Sequence, residues 1–224
     1  MLSPTHDAII VGGGLAGPTA AIHLARADER VLVVERGAYP RHKVCGEYVS
    51  AEVLPYLAEL AIPVRAWQPR DVGRFRLHAP SGRWVESRLP LGGFALRRST
   101  LEARMQRIAR DLGVEFALRT TVREVELRGD GLDVGARGAR WRAPVVLGAF
   151  GRRSGLDRRL ARPFARRPAS HVGFKLYVRA PFPPDMVALY ALGGGYAGAV
   201  QVEDGSVDVA CLVTAAQLRA AGGT

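Results

Sequence analysis

Apolar and polar positions recur with different periods along this chain. Residues 7–11 and 31–34 are almost wholly apolar, as in strands buried on both faces, and between them Ala20, Ala21, Leu24 and Ala25 set a small apolar face at helical spacing. The apolar run at 145–149 reads as another strand buried on both faces. Residues 75–79 and 84–89 predict a hairpin across Pro80, Ser81 and Gly82. The best-marked helix starts at Ser99, which has capping-box spacing to Glu102. Leu101, Met105, Ile108 and Leu112 then form its apolar stripe before Gly113 ends it. Strands follow at 114–118, 122–127 and 132–134, with a turn at 129–131. The loop at 37–50 is too rich in proline and glycine for a regular element, and a short helix at 51–60 is interrupted by Pro55. Beyond residue 168, alternation at 171–178, 196–202 and 206–212 predicts antiparallel strands.

The expected fold is therefore α/β. A discontinuous Rossmann-like domain takes residues 1–62 and 98–162, and a mostly antiparallel β-rich region takes 63–97 and 163–224. The proline-punctuated stretches at 163–168 and 181–184 read as crossings between the two.

The first crossover carries chemistry. Gly12, Gly14 and Gly17 fit G-x-G-x-x-G, in which one glycine makes a tight turn, one lets the backbone approach a pyrophosphate and one lets helix pack on strand. The helix that follows turns its N–H groups and positive dipole end toward the anion, so no lysine is needed. Pro18 falls in its first turn, where a missing N–H matters little. Glu35 ends the second strand, where a carboxylate can accept both hydroxyls of an adenosine ribose, which favours FAD or NAD over NADP. The bland alternative is a β-α-β unit whose glycines only ease packing.

Composition narrows the classes. Of 224 residues, 48% are hydrophobic and 24% charged, ordinary for a globular protein, and no apolar run is long enough to span a bilayer. The first strand starts too early to leave room for a signal peptide, so a cytoplasmic location is the expectation. Two distant cysteines, Cys45 and Cys211, predict neither a disulfide framework nor a zinc site, and the five histidines lack metal-binding or hydrolase spacing. The net charge of +11 comes from arginines scattered along the chain, which argues against nucleic acid as the partner. They are densest at Arg152, Arg153, Arg158, Arg159, Arg162, Arg166 and Arg167. That cluster reads as a solvated face or as a docking surface for an anion such as NAD(P)H or a lipid headgroup.

Four segments resemble the p-hydroxybenzoate-hydroxylase-like FAD flavoproteins, most closely the branch of geranylgeranyl reductases and FAD-dependent monooxygenases. They are the N-terminal unit ending in Glu35 and Arg36, the loop RHKVCGEYVS, the helix RSTLEARMQRIARDLGV, and VVLGAFGRRSGLDR. The resemblance implies an FAD-binding domain with a β-rich substrate domain. It implies cofactor contacts at Gly12, Gly14, Leu15, Ala16, Gly17, Glu35, Arg36, Lys43, Cys45, Gly46, Arg98, Val122 and Gly151. In that family the loop holding Cys45 and Gly46 runs beside the flavin ring, and the arginine matched by Arg98 contacts the pyrophosphate side.

The implied activity is an FAD-dependent oxidoreductase, with NAD(P)H or another donor reducing the flavin. It would then hydroxylate an organic substrate or reduce an activated double bond. The residues leave open which of these it is, the catalytic groups, the oligomeric state and peripheral membrane contact. Taken alone, Cys45 reads more readily as an inert thiol than as a thiol beside the flavin, and Lys43 reads equally as a solvated loop charge. Two departures stand out. Phe150 replaces the aspartate of the family's G-A-D-G segment, and 222–224 is reached before any G-D-A segment, which sets an impaired or non-catalytic nucleotide-binding fragment beside the enzyme reading.

Overall fold

In the computed structural model, residues 6–152, 154–167 and 169–222 are described. Arg153 of the basic cluster, Pro168 of the proline punctuation and 223–224 of the terminal segment lie outside them. In chain order the elements are β1 (Ala8–Val11), α1 (Ala16–Ala25), β2 (Val31–Val34), β3 (Tyr48–Ser50), α2 (Leu54–Glu59), β4 (Arg70–His78), β5 (Trp84–Ala95), α3 (Arg98–Asp111), β6 (Glu115–Ala117), β7 (Val122–Arg128) and β8 (Gly131–Ala136). They continue with β9 (Ala139–Ala143), β10 (Val145–Gly148), α4 (Gly155–Arg159), β11 (His171–Val178), β12 (Met186–Leu192), β13 (Gly195–Gln201), β14 (Val207–Thr214) and α5 (Ala215–Ala220).

The chain divides into two compact units, Met1–Arg41 with Ser99–Arg167, and His42–Arg98 with Pro168–Thr224. Residues 42–62, expected in the first, fall in the second. The reason is local: β3 pairs with β5, and Leu96 N–H donates to the Glu47 carbonyl at 3.2 Å.

The first unit holds a parallel sheet ordered β10-β1-β2-β6 and a separate antiparallel sheet β7-β8-β9. Ile9, Val11, Leu32 and Val34 from the parallel sheet form one core with Val122, Val134, Ala143 and Leu156. Each of the valine, leucine and isoleucine side chains contributes about 1.5–3 kcal/mol of burial. On α1 the buried residues are Gly17, Pro18, Ala21 and Ile22, so the packed face is shifted from the predicted one; Ala20, Leu24 and Ala25 are half-buried.

One strand is corrected. β10 was expected to be buried on both faces, but among the described residues it is an edge strand paired with β1 alone, and Val145 and Leu147 are exposed. A wholly apolar run cannot distinguish an edge from a centre. β9 escapes a periodicity reading because Arg140 and Arg142 break it. Arg142 is nonetheless buried, donating to the Asp133 carboxylate at 3.1 Å and to the Arg128 carbonyl at 2.6 Å. α3 begins at Arg98, so Ser99 lies inside its first turn rather than at its cap.

The second unit is one mixed sheet ordered β11-β14-β13-β12-β4-β5-β3, antiparallel except that β12 runs parallel to β4. The β4–β5 hairpin turns with Gly82 at φ +83°, a backbone that favours glycine. Pro55 sits in the first turn of α2, where its ring is tolerated, behind a short 3₁₀ turn at Ala51–Val53. β12, missed from sequence, lies between β13 and β4, and its continuous apolar run reflects that central position.

Candidate functional site

In the first unit the strand order reverses at β1, which has β10 on one side and β2 on the other, the place where open α/β sheets bind ligands. The β1–α1 turn is closed by backbone. Gly12 has φ +111°, and a Cβ there would lie 2.3 Å from the Ala149 carbonyl oxygen; one on Gly17 would lie 2.0 Å from the Gly12 carbonyl oxygen. No side chain can fit at either place. α1 then begins at Ala16 with no side-chain cap at Leu15 and no acid in its first turn, leaving a positive helix end for an anion. These features fit a pyrophosphate held by main-chain amides.

Glu35, 4% exposed, does more than the glycine fingerprint predicts. Its carboxylate accepts from Gly13 N–H at 2.6 Å, from Gly37 N–H at 2.8 Å and from Arg41 Nη1. Arg41 also donates to the Gly13 carbonyl at 2.9 Å and, through Nε, to Glu102 at 3.3 Å. Tyr39 donates its hydroxyl to the same Gly13 carbonyl at 2.5 Å. Burial alone would raise the Glu35 carboxyl's pKa, but the bonds from Arg41, Gly13 and Gly37 outweigh it and hold it below the usual glutamate value. With three of its about four acceptor sites filled, Glu35 is first a brace of the glycine turn and has room for about one further donor.

A crevice of about 80 Å³ brings together Gly12, Glu35, Arg36 and Val122, with Phe150 on its wall. Gly14, Leu15, Ala16 and Gly17 follow at the turn into α1, and Gly151, at φ +75° and exposed, comes just after Phe150. Phe150 packs against the unit's core, so the position occupied by aspartate in the resembled family is apolar here.

Lys43, Cys45, Gly46 and Arg98 belong to the second unit. Cys45 and Gly46 line a cavity of about 450 Å³ there, walled mainly by Val44, Phe75, Leu89, Val187, Leu189 and Leu212. Glu47, Tyr48, Tyr196 and Cys211 bring its few polar side chains. Lys43 is half-buried, and Arg98 uses its backbone N–H to reach Glu47 Oε1 at 3.1 Å.

Glu47 also lines that cavity and anchors a buried ionic cluster that the sequence did not reveal. Glu47 Oε1 accepts from Lys175 Nζ and from the Tyr177 hydroxyl at 2.7 Å, and Lys175 lies 3.3 Å from Asp208 Oδ1. Glu47, Lys175 and Asp208 are all buried. Burial, then the charge of Glu47, push the Asp208 carboxyl up to about 6 against the pull of Lys175. Burial and the bond to Glu47 raise the Tyr177 hydroxyl, which stays neutral at physiological pH. Arg97 stacks 4.2 Å from the Tyr177 ring centre. The cluster can hold a shared proton. Its signal in the sequence was Lys175 and Tyr177 spaced by two on a strand, hence on one face, in register with Asp208 on the neighbouring strand. Arg41 and Tyr39, which complete the first-unit network, carried no motif.

A family model described as an FAD binding domain matches residues 7–44. The chain is 28% identical over 195 residues to a menaquinone reductase of Mycobacterium tuberculosis, covering 80% of this chain and 46% of that protein. It is 30% identical over 173 residues to digeranylgeranylglycerophospholipid reductase 1 of Methanothermobacter thermautotrophicus, covering 72% and 43%. The chain thus spans under half the length of these relatives. In fold it is similar to a geranylgeranyl bacteriochlorophyll reductase-like protein from Thermoplasma acidophilum, with TM-score 0.79, 19% identity and coverage of 96% of this chain and 58% of that one. It is likewise similar to the flavin-dependent brominase Bmp2, with TM-score 0.76, 19% identity and coverage of 96% and 58%.

Proposed function

We propose that this chain, whose residues 7–44 match an FAD binding domain, serves an FAD-dependent oxidoreductase of the p-hydroxybenzoate-hydroxylase-like kind that reduces an apolar, isoprenoid-bearing substrate. The observation that carries the reading is the backbone-closed turn at Gly12 and Gly17 leading into the uncapped α1. Bound there, FAD supplies two-electron chemistry, accepting electrons from NAD(P)H or another donor.

The chain's own residues bind and orient. Gly12, Gly14, Leu15, Ala16 and Gly17 let main-chain amides approach the pyrophosphate, and Glu35 offers its remaining acceptor site to a ribose hydroxyl. Arg36, Val122 and Gly151 border the adenosine side. Lys43, Cys45 and Gly46 are assigned to the flavin, and Arg98 to the pyrophosphate side, by resemblance alone.

The second unit is assigned to the substrate. Its cavity of about 450 Å³ lies within the usual range for small-molecule sites, and its walls suit an isoprenoid tail. The Glu47, Lys175, Tyr177 and Asp208 cluster is a proton store at its side. A cytoplasmic location belongs to this proposal; among the described residues no helix is long and apolar enough to cross a membrane.

Purification with FAD provides the test. The expected outcome is a yellow protein that oxidises NAD(P)H, or an artificial donor, only when a menaquinone or a geranylgeranyl lipid is added. Failure to retain or rebind FAD overturns the reading. Substrate-dependent oxygen uptake with a hydroxylated product would assign hydroxylation in place of reduction.

A further inference from the structure

The β4–β5 hairpin ends in side chains that nothing in the flavin reading uses. Leu77, Trp84 and Val85 are 40%, 54% and 64% exposed. The register pairs Leu77 with Val85 and His78 with Trp84, so the aliphatic pair and the indole stand on opposite faces of the hairpin finger, which β12 flanks along β4 as far as His78. Between Trp84 and Leu91, β5 has β4 on one side and, among the described residues, no strand on the other, since β3 meets it only at Gly93–Ala95. A monomer surface gains nothing by showing a tryptophan and two aliphatic side chains on the two faces of a strand-edge tip.

The charges beside them are of one sign. Glu86 is the sole acid between residues 74 and 92, and it is already bonded by Arg74 at 2.9 Å and by Arg76 at 2.7 Å. Arg83 and Arg88 are exposed and, among the described residues, meet no carboxylate. Arg76 also lies 4.5 Å from the Trp84 ring centre, bracing the indole outward.

We propose that this finger docks the protein on an anionic phospholipid bilayer. Trp84 sits at the headgroup level, Leu77 and Val85 enter the acyl boundary, and Arg83 and Arg88 meet lipid phosphates. A second copy of the chain is a poorer occupant, because it would bring Arg83 and Arg88 against their own kind. A nucleic acid would leave the aliphatic tip without a partner. The inference does not depend on the flavin assignment.

Co-sedimentation of the full chain with phosphatidylglycerol–phosphatidylcholine vesicles is the test, beside vesicles of phosphatidylcholine alone. Binding is expected only to the anionic vesicles. It should weaken as salt rises and bring a blue shift in Trp84 emission, Trp67 being buried already and Trp141 packed against the first unit's core. Arg83→Gln with Arg88→Gln, and separately Trp84→Ser with Val85→Ser, should each lower the partition coefficient about tenfold or more while FAD content stays as in the wild type. Equal binding to both vesicle types, no binding to either, or variants that bind like the wild type would overturn it. So would a wild-type dimer in sedimentation velocity that the same variants abolish, because the edge would then belong to a second copy.

Discussion

Arg41 is the residue on which the first unit's polar core turns. It meets Glu35, Glu102 and the Gly13 carbonyl at once, a fork that lysine cannot reproduce. Arg41→Ala leaves two buried carboxylates without their cation, and breaking such a set costs about 3–5 kcal/mol. Urea unfolding at neutral pH in the absence of FAD should show that loss, with Arg41→Lys recovering only part of it. A change below about 1 kcal/mol would mean that Glu35 is held by the Gly13 and Gly37 amides alone. Sequence reading reached Glu35 through its place at the end of a buried strand, but assigned it wholly to the ribose. Its bond to Gly13 needed the turn to bring together residues far apart in the chain.

At the scale of elements, the stretch before β3 is tied to β11 and β14 by the Glu47, Lys175 and Asp208 cluster. Asp208, with its pKa raised to about 6, keeps in the folded chain a proton that the unfolded chain gives up near the ordinary aspartate value of 3.8. Stability therefore falls as pH rises from about 4 to about 6. Asp208→Asn should flatten that part of the stability profile. Lys175→Met removes the attraction that restrains the shift, so its destabilisation should be larger at pH 8 than at pH 5, as chemical denaturation at the two values would measure. An equal loss at both would place the carboxylates' charge elsewhere. β10 shows the complementary lesson, for its apolar run was legible as a strand while its exposed edge position was not.

For the whole molecule, ligand linkage gives the simplest check. Binding to the folded state alone stabilises by about 2.7 kcal/mol at a hundredfold excess over Kd, so FAD should raise the melting temperature of the wild type. Gly17→Ala, whose Cβ would meet the Gly12 carbonyl oxygen, should melt lower without FAD and respond weakly to its addition. A full response to FAD in that variant would move the pyrophosphate away from the α1 turn.

What the amino-acid order determined by itself was local. Two buried strands joined through a glycine turn and a helix are specified by neighbours within one crossover, as are the β4–β5 hairpin and the alternating strands of the second unit. Tertiary structure alone decided which apolar strand became an edge and that residues 42–62 joined the β-rich unit. It also decided that Arg41 became a half-buried charge and Glu47, Lys175 and Asp208 buried ones. A charge is buried only where a partner from a distant part of the chain offsets its lost hydration, and no window along the sequence contains that partner.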